Sequence, residues 1–247
     1  MSDTQSFLQK AKTYGLLSSY YQYSNPKLHE YYSQKHMKSL EKAAQQLKYE
    51  QMKVTLPAQM RILQVSSAAP SMDIHVNGVP IFKNLSFKES SRYMTFPAGR
   101  HQLDIYLNEE TRSPLLSRNL ELEGGTSYTL AAAFANESLT LLPFIDLPFV
   151  PQNEAKFRFI HLVPAMPSVD IAVKDGDVVF EEISFQQASD YLTIHPMIVD
   201  FDAREAGTKR IVSSLPDMEF KENTASTLYM IGLNHETDRL ESIMLSP

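Results

Sequence analysis

The sequence predicts a mainly β protein, two tandem antiparallel β-sandwiches preceded by an α-helical hairpin. Three observations carry this. A long internal repeat spans a domain length. Each copy alternates apolar and polar residues between turn signals. The first 53 residues show no such alternation but hold seven of the twelve tyrosines.

The N-terminal segment comes first. Asp3 can cap a helix running to about Tyr23, and "SNP" at 24–26 stops it. Asn25 suits an N-cap and Pro26 a first helical turn, so a second helix starts there and runs to about Met52. Leu28, Tyr31, Tyr32, Leu40, Ala43, Ala44 and Leu47 give it a broken apolar stripe. Such a hairpin buries little by itself. Its tyrosines pack on the rest of the chain or meet a partner, and Tyr20, Tyr21, Tyr23, Tyr31 and Tyr32 are the candidate interface.

The repeat follows. Arg61–Ile74 aligns with Arg158–Ile171 at an offset of 97. One inserted residue then shifts the offset to 98. Over Phe82–Thr95 against Phe180–Thr193, six of fourteen positions are identical without a gap, which chance does not explain. The period exceeds that of a solenoid and equals a small domain.

Both copies read as strands. "MDIHV" alternates, with Met72, Ile74 and Val76 inward and Asp73 and His75 outward; "VDIAV" repeats the pattern with Val169, Ile171 and Val173. Asn77-Gly78 and Asp175-Gly176 follow, and both pairs accept the positive φ of a tight hairpin. "HQLDIYL" aligns with "IVDFDA", which matches Asp104 to Asp200. "TSYTLAAAF" and "STLYMIGL" are late apolar strands, and "LTLLPFI" and "LESIML" close the copies. About seven strands per copy suit a sandwich. The boundaries are 1–56 for the hairpin, 57–148 for the first sandwich and 155–247 for the second, joined by a proline-bearing, extended linker. The second copy has drifted: "FPAGRHQ" becomes "IHPMIVD", and "EGGTSY" becomes "KENTAS".

These residues resemble the bacterial domain-of-unknown-function family 4397 over about 58–245. The matching positions are Pro70, Asp73, Val76, Asn77, Gly78, Phe87, Tyr93, Pro97, Ala98 and Gly99, then Pro167, Asp170, Val173, Gly176, Phe185 and Tyr191. The resemblance implies immunoglobulin-like sandwiches, often repeated and often exported. It supplies no catalytic residues. Pro70, Asp73, Asn77, Gly78, Tyr93, Pro167, Asp170, Asp175, Gly176 and Tyr191 define the repeat.

Chemistry is sparse. The absence of cysteine excludes disulfides, thiolate nucleophiles and Cys-bound metals. A formal net charge of −6 gives no drive toward nucleic acid, and the basic hint from Lys35 to Lys53 is diluted by Glu41 and Glu50. "HEYYS" at 29–33 places Ser33 where a zinc-protease helix needs its second histidine, so His29 and His36 read as surface histidines. Asp73 and Asp170 lack the clustered oxygens that calcium takes and read as turn-stabilising or outward carboxylates. Asp104 and Asp200 lie in different domains and form an acid/base pair only if those domains face each other. No serine lies in a G-x-S-x-G context, and Gly124-Gly125 is a turn rather than a phosphate loop.

No catalytic, metal or cofactor site is expected. The reading is a non-enzymatic structural or protein-interaction protein of bacterial type, with the sandwiches as scaffold and the tyrosine-rich hairpin as a docking or self-assembly element. The alternative is a small-ligand or glycan-binding module using sandwich loops or the interdomain cleft. A protein partner or self-association is expected, without nucleic acid or a transmembrane segment. The opening residues lack a signal-peptide pattern, which points to the cytoplasm; a spore or cell-envelope location is the alternative.

Overall fold

The computed structural model describes residues 3–66, 71–107, 113–135, 138–164, 166–232 and 240–246. Helices α1 (Asp3–Tyr21) and α2 (Pro26–Thr55) come first. The first sandwich follows with β1 (Ala58–Gln64), β2 (Ser71–Val76), β3 (Val79–Ser86), β4 (Met94–Phe96), β5 (Gly99–Tyr106), β6 (Leu116–Leu122), β7 (Ser127–Ala135) and β8 (Ser138–Asp146). The second holds β9 (Ala155–Leu162), β10 (Val169–Val173), β11 (Val178–Ile183), β12 (Leu192–Ile194), β13 (Met197–Glu205), β14 (Ile211–Phe220), β15 (Thr224–Gly232) and β16 (Leu240–Leu245). Each copy therefore has eight described strands, one more than the sequence suggested.

The chain divides into two compact units. One is the hairpin through Pro57, with Pro97–Gly99 and Glu123–Gly125; the other holds the rest of both sandwiches.

In the hairpin, Asn25 caps α2: its side chain accepts from the Leu28 N–H at 3.2 Å, and Pro26 occupies the first turn. α1 stops two residues short of Tyr23, and α2 continues past Met52. The seam differs from the expected stripe. Ala11, Ser18, Ser39 and Ala43 are buried, while Tyr31, Leu40 and Leu47 are exposed. Small residues let the helices approach closely, so polar groups finish the seam. A Cβ on Gly15 would stand 3.1 Å from the His36 ring. His36 Nδ1 donates to the Ala11 carbonyl at 2.8 Å, and His29 Nδ1 to the Ser18 carbonyl at 3.0 Å. The two histidines are thus half-buried interhelical links, not surface residues. Ser33 lies 2.7 Å from the Ser18 hydroxyl.

The sheet orders are β4-β1-β7-β8 with β3-β2-β5-β6, and β12-β9-β15-β16 with β11-β10-β13-β14. The central pairs β1–β7 and β9–β15 run parallel, within otherwise antiparallel-rich sheets. The first core includes Met60, Ile62, Ile74, Leu103, Ile105 and Leu130. The second is built on phenylalanines: Phe157 packs on Phe180, Phe201 and Phe220 at 4.6–5.4 Å. Burying one such ring contributes about 1.5–3 kcal/mol.

A third cluster joins the sandwiches. Leu63, Val65, Ala131, Ala133 and Phe144 pack with Ile160, Leu162, Tyr229 and Ile231. The inner sheets are therefore covered on both faces. This is why β9 is buried at every position and β15 nearly so. It also explains why "TSYTLAAAF" and "STLYMIGL" are continuous apolar runs rather than alternating ones.

Two alignments need correction. Ile74 pairs with Ile105 and Ile171 with Ala203, so the counterpart of Asp104 is Asp202 rather than Asp200. A slip of two residues keeps the alternation, so the pattern could not detect it. Ser117 donates to Asp104 at 2.6 Å and Ser214 to Asp202 at 2.9 Å, a matching local role for each. The inserted residue falls in the second hairpin. Asn77 and Gly78 both have positive φ (51° and 77°), as a two-residue turn requires. In the second copy only Asp175 does (56°), because residues 174–177 make a longer connection than the two-residue turn.

Candidate interaction surface

The hairpin tyrosines divide into two sets. Tyr32 stacks between Tyr14 and Tyr21, with ring centroids 6.3 and 5.8 Å apart. Tyr31 meets Tyr32 edge-on, and Tyr20 meets Tyr21 the same way. Tyr21 and Tyr32 therefore belong to the aromatic ladder that joins the helices. Tyr20, Tyr23 and Tyr31 point outward, 75%, 91% and 51% exposed. Their positions follow from the helix period: Tyr14 and Tyr21 are seven apart on α1, so they share one face.

A basic groove lies on the same hairpin. Lys35, Lys38 and Lys42 are spaced three and four apart, which places them on one flank of α2. Lys10 of α1 joins them, with Phe7, Tyr14 and Ser39 also lining a depression of about 380 Å³. The sequence carried this signal in its lysine spacing, and averaging over Glu41 and Glu50 hid it. Glu50 is turned away to the Thr4 hydroxyl at 3.1 Å.

The repeat-defining residues form a different feature. Arg61 Nε donates to Thr129 Oγ1 at 2.9 Å, its Nη1 to the Ser246 carbonyl at 2.8 Å, and its guanidinium lies 4.6 Å over the Tyr93 ring. Arg158 repeats this with Thr227 (3.2 Å), the Ile145 carbonyl (2.7 Å) and Tyr191 (4.7 Å). Each arginine rests on its own tyrosine and reaches into the other sandwich. The two sets are thus alike within each sandwich and each crosses to the last strand region of the other. The carboxylate breaks the symmetry. Asp146 takes Arg158 Nη2, the Tyr93 hydroxyl and the Thr129 hydroxyl, each at 2.6 Å. Arg61 Nη2 and the Tyr229 hydroxyl are buried without a hydrogen-bond partner among the described residues. Burial first, then the hydrogen bond to Asp146, pushes the Tyr93 hydroxyl far above the usual phenol range. Burial also raises the Tyr229 hydroxyl.

The aspartates serve the backbone. Asp73 and Asp170 are buried rather than outward. Asp73 accepts from the Asn84 N–H at 2.8 Å, and Asp170 from the Glu182 and Gly207 N–H groups at 2.7 and 2.8 Å. Asn84 and Glu182 have positive φ at matching bulges in β3 and β11, so each carboxylate secures an irregular edge strand. Asn77 adds a bond from the Gln102 N–H at 2.9 Å. The Pro167 carbonyl accepts from His161 Nε2 at 3.2 Å, and Pro70 lies outside the described residues.

Among the described residues no group of three His, Asp or Glu is placed to hold a metal ion, and no helix is long and apolar enough to cross a membrane. Asp104 and Asp202 are each held by a neighbouring serine in separate sandwiches.

Comparison with known proteins agrees with the repeat. The family model described as "Domain of unknown function (DUF4397)" matches residues 58–172 and again 155–245. The chain belongs to this family. Its two DUF4397 copies are the two sandwiches. No curated protein matches the chain. Among solved structures, the C-terminal domain of AlgF from P. aeruginosa is similar at 18% identity, with 39% of this chain and all of that chain covered and a TM-score of 0.31. The Bacillus anthracis TIE protein matches at 13% identity over 72% of this chain and 34% of its own, TM-score 0.25. A putative cell adhesion protein from Bacteroides fragilis matches at 8% over 76% and 97%, TM-score 0.19.

Proposed function

We propose that the chain is a non-enzymatic interaction protein. The paired sandwiches are its scaffold, and the helical hairpin docks a protein partner or a second copy of the chain. The supporting observation is where the apolar surface lies. Half of the exposed large hydrophobic side chains among the described residues sit on the hairpin, including Leu16, Tyr20, Tyr23, Tyr31 and Met37. The hairpin is less than a quarter of the chain, so this concentration is not a matter of size. Tyrosine and methionine are enriched where proteins meet, and an apolar patch rimmed by polar residues marks such a surface. The other half are spread over the sandwiches and their linker, more than three times as many residues, where most apolar side chains enter three buried clusters.

Light scattering on the full chain tests this, beside the variant Tyr20→Ser/Tyr23→Ser/Tyr31→Ser. The expected result is concentration-dependent association of the full chain, a monomeric variant and equal helix content. A full chain that stays monomeric at every concentration would sink the self-assembly arm. If the variant also pulls down the same proteins as the full chain, the docking arm goes with it.

A further inference from the structure

We propose that the groove between α1 and α2 binds a polyphosphate group. This goes beyond the reading above, since it uses the lysine flank rather than the outward tyrosines. The two surfaces meet at Tyr31, whose ring holds Lys35.

Four ammonium groups converge there. Lys35, Lys38 and Lys42 form one wall, Lys10 the other, around Phe7, Tyr14 and Ser39. Lys10 and Lys42 share a single ring: their Nζ atoms lie 5.9 and 5.8 Å from the Phe7 centroid. Lys35 is held over Tyr31 at 5.5 Å. The aromatic rings thus position charges that would otherwise repel one another apart. Glu41 also lines the depression, yet among the described residues no ion pair joins a carboxylate to any of the four lysines. The charge is concentrated, not average. Residues 1–57 hold eight lysines against Asp3, Glu30, Glu41 and Glu50, in a chain of net charge −6.

The residue type names the ligand class. Residues 1–57 contain no arginine, so the planar fork that grips a single carboxylate or phosphate bidentately is absent. Lysine acts as a point charge with rotatable donors, which suits a flexible chain of phosphates. The Phe7 ring is already engaged by two ammonium groups and Tyr14 already stacks on Tyr32, which disfavours stacking of a nucleobase in the groove. The depression of about 380 Å³ is of ligand size rather than macromolecular size.

Titration calorimetry of the full chain with inorganic tripolyphosphate tests this, at low ionic strength and at about 0.15 M. Three variants accompany it: Lys10→Ala/Lys42→Ala, Lys38→Ala, and the control Lys48→Ala, a lysine of α2 outside the groove lining. Alanine preserves the helix. The proposal expects saturable one-site binding that weakens with salt, falls about tenfold or more in the double variant, falls less in Lys38→Ala and is unchanged in Lys48→Ala. No heat at low ionic strength overturns it. Equal losses in all variants, including Lys48→Ala, overturn it as unspecific attraction. Binding of anionic phosphatidylserine vesicles without binding of tripolyphosphate overturns it in favour of a membrane surface. Light scattering on the same variants separates this outcome from the association reading, because the lysine changes leave the tyrosines intact.

Discussion

Arg158 and Asp146 form a buried ion pair of 2.6 Å that joins the second sandwich to the last strand of the first. The remaining polar contacts of the two side chains, Asp146 with Tyr93 and Thr129 and Arg158 with Thr227 and the Ile145 carbonyl, tie strands of both sandwiches into the same seam. Asp146 is the carboxylate shared by two tyrosine–arginine–threonine sets, and it leaves Arg61 Nη2 unmatched.

Asp146→Ala leaves the Arg158 guanidinium buried without its counter-charge. Breaking a buried pair in this way costs about 3–5 kcal/mol. The expected result in urea is a lower midpoint and a transition that splits as the sandwiches lose their coupling. A single transition with an unchanged midpoint would show that apolar packing alone holds them together.

His161 makes stability depend on pH on the acid side. Its Nδ1 accepts from the Val163 N–H at 3.1 Å, so the ring is the neutral Nε2–H tautomer, and burial pushes its pKa down. The unfolded chain binds a proton near pH 6.5 that the folded chain refuses, so stability rises with pH through that region. The contribution is complete above the unfolded value and is lost as pH falls toward the lowered folded one. The first copy carries Gln64 at this position, and its Oε1 accepts from the Ser66 N–H at 3.1 Å. His161→Gln therefore keeps the backbone bond and removes the titration. Urea midpoints between pH 7 and pH 5 should fall in the wild type and flatten in His161→Gln. Identical slopes would assign the acid sensitivity elsewhere.

Gly124 explains part of the drift between the copies. A Cβ there would overlap the carbonyl oxygens of Lys53 and Leu56 at the end of α2. The Gly125 N–H donates to the Pro57 carbonyl at 2.9 Å, and Asn223 repeats that bond to Glu154 at 2.6 Å. Glu222 thus stands where the first copy has Gly124. Gly124→Ala should cost about 1–3 kcal/mol by overpacking, read as an earlier loss of helical signal on heating. Glu222→Ala should leave that curve unchanged. If the two behave alike, the glycine reflects turn conformation alone.

Much of the β architecture was legible because the repeated residues make repeated bonds. Ser91 and Ser189 each receive the N–H of the neighbouring strand at 2.9 Å, from Ile62 and Phe159. Tyr93 and Tyr191 each carry an arginine. Asp73 and Asp170 each hold a bulge. What local pattern could not give was which face meets what. Alternation is blind to a two-residue slip, so the pattern aligns Asp104 with Asp200 although the pairing puts Asp202 there. Covered faces erase alternation, so the sheet-to-sheet seam read only as apolar strands. Arg61 and Arg158 were the available clue: an arginine kept at the same repeat position of β1 and β9, flanked by apolar residues on both sides. The hairpin seam was harder. It is made of alanine, serine and histidine, which an apolar stripe does not describe, and its lysine groove disappears when charge is averaged over a window.

The two tyrosine sets of the hairpin should separate by experiment. Tyr32 lies between Tyr14 and Tyr21 and touches Tyr31 edge-on, so it takes part in three ring contacts. Each such contact is worth about 0.5–1.5 kcal/mol beyond its buried area. Tyr32→Ala also leaves a void where the helices meet, so it should destabilise the hairpin by about 2–3 kcal/mol. Tyr23 is almost wholly exposed and touches no ring among the described residues. Tyr23→Ser should stay within about 0.5 kcal/mol of the wild type. Hydrogen exchange on α1 and α2 reads the difference directly: faster exchange in Tyr32→Ala and none in Tyr23→Ser. Were Tyr23→Ser to loosen the helices equally, the outward tyrosines would be part of the hairpin's own fold. The docking role proposed for them would then lose its basis, because a surface available to a partner must cost little to change when no partner is present.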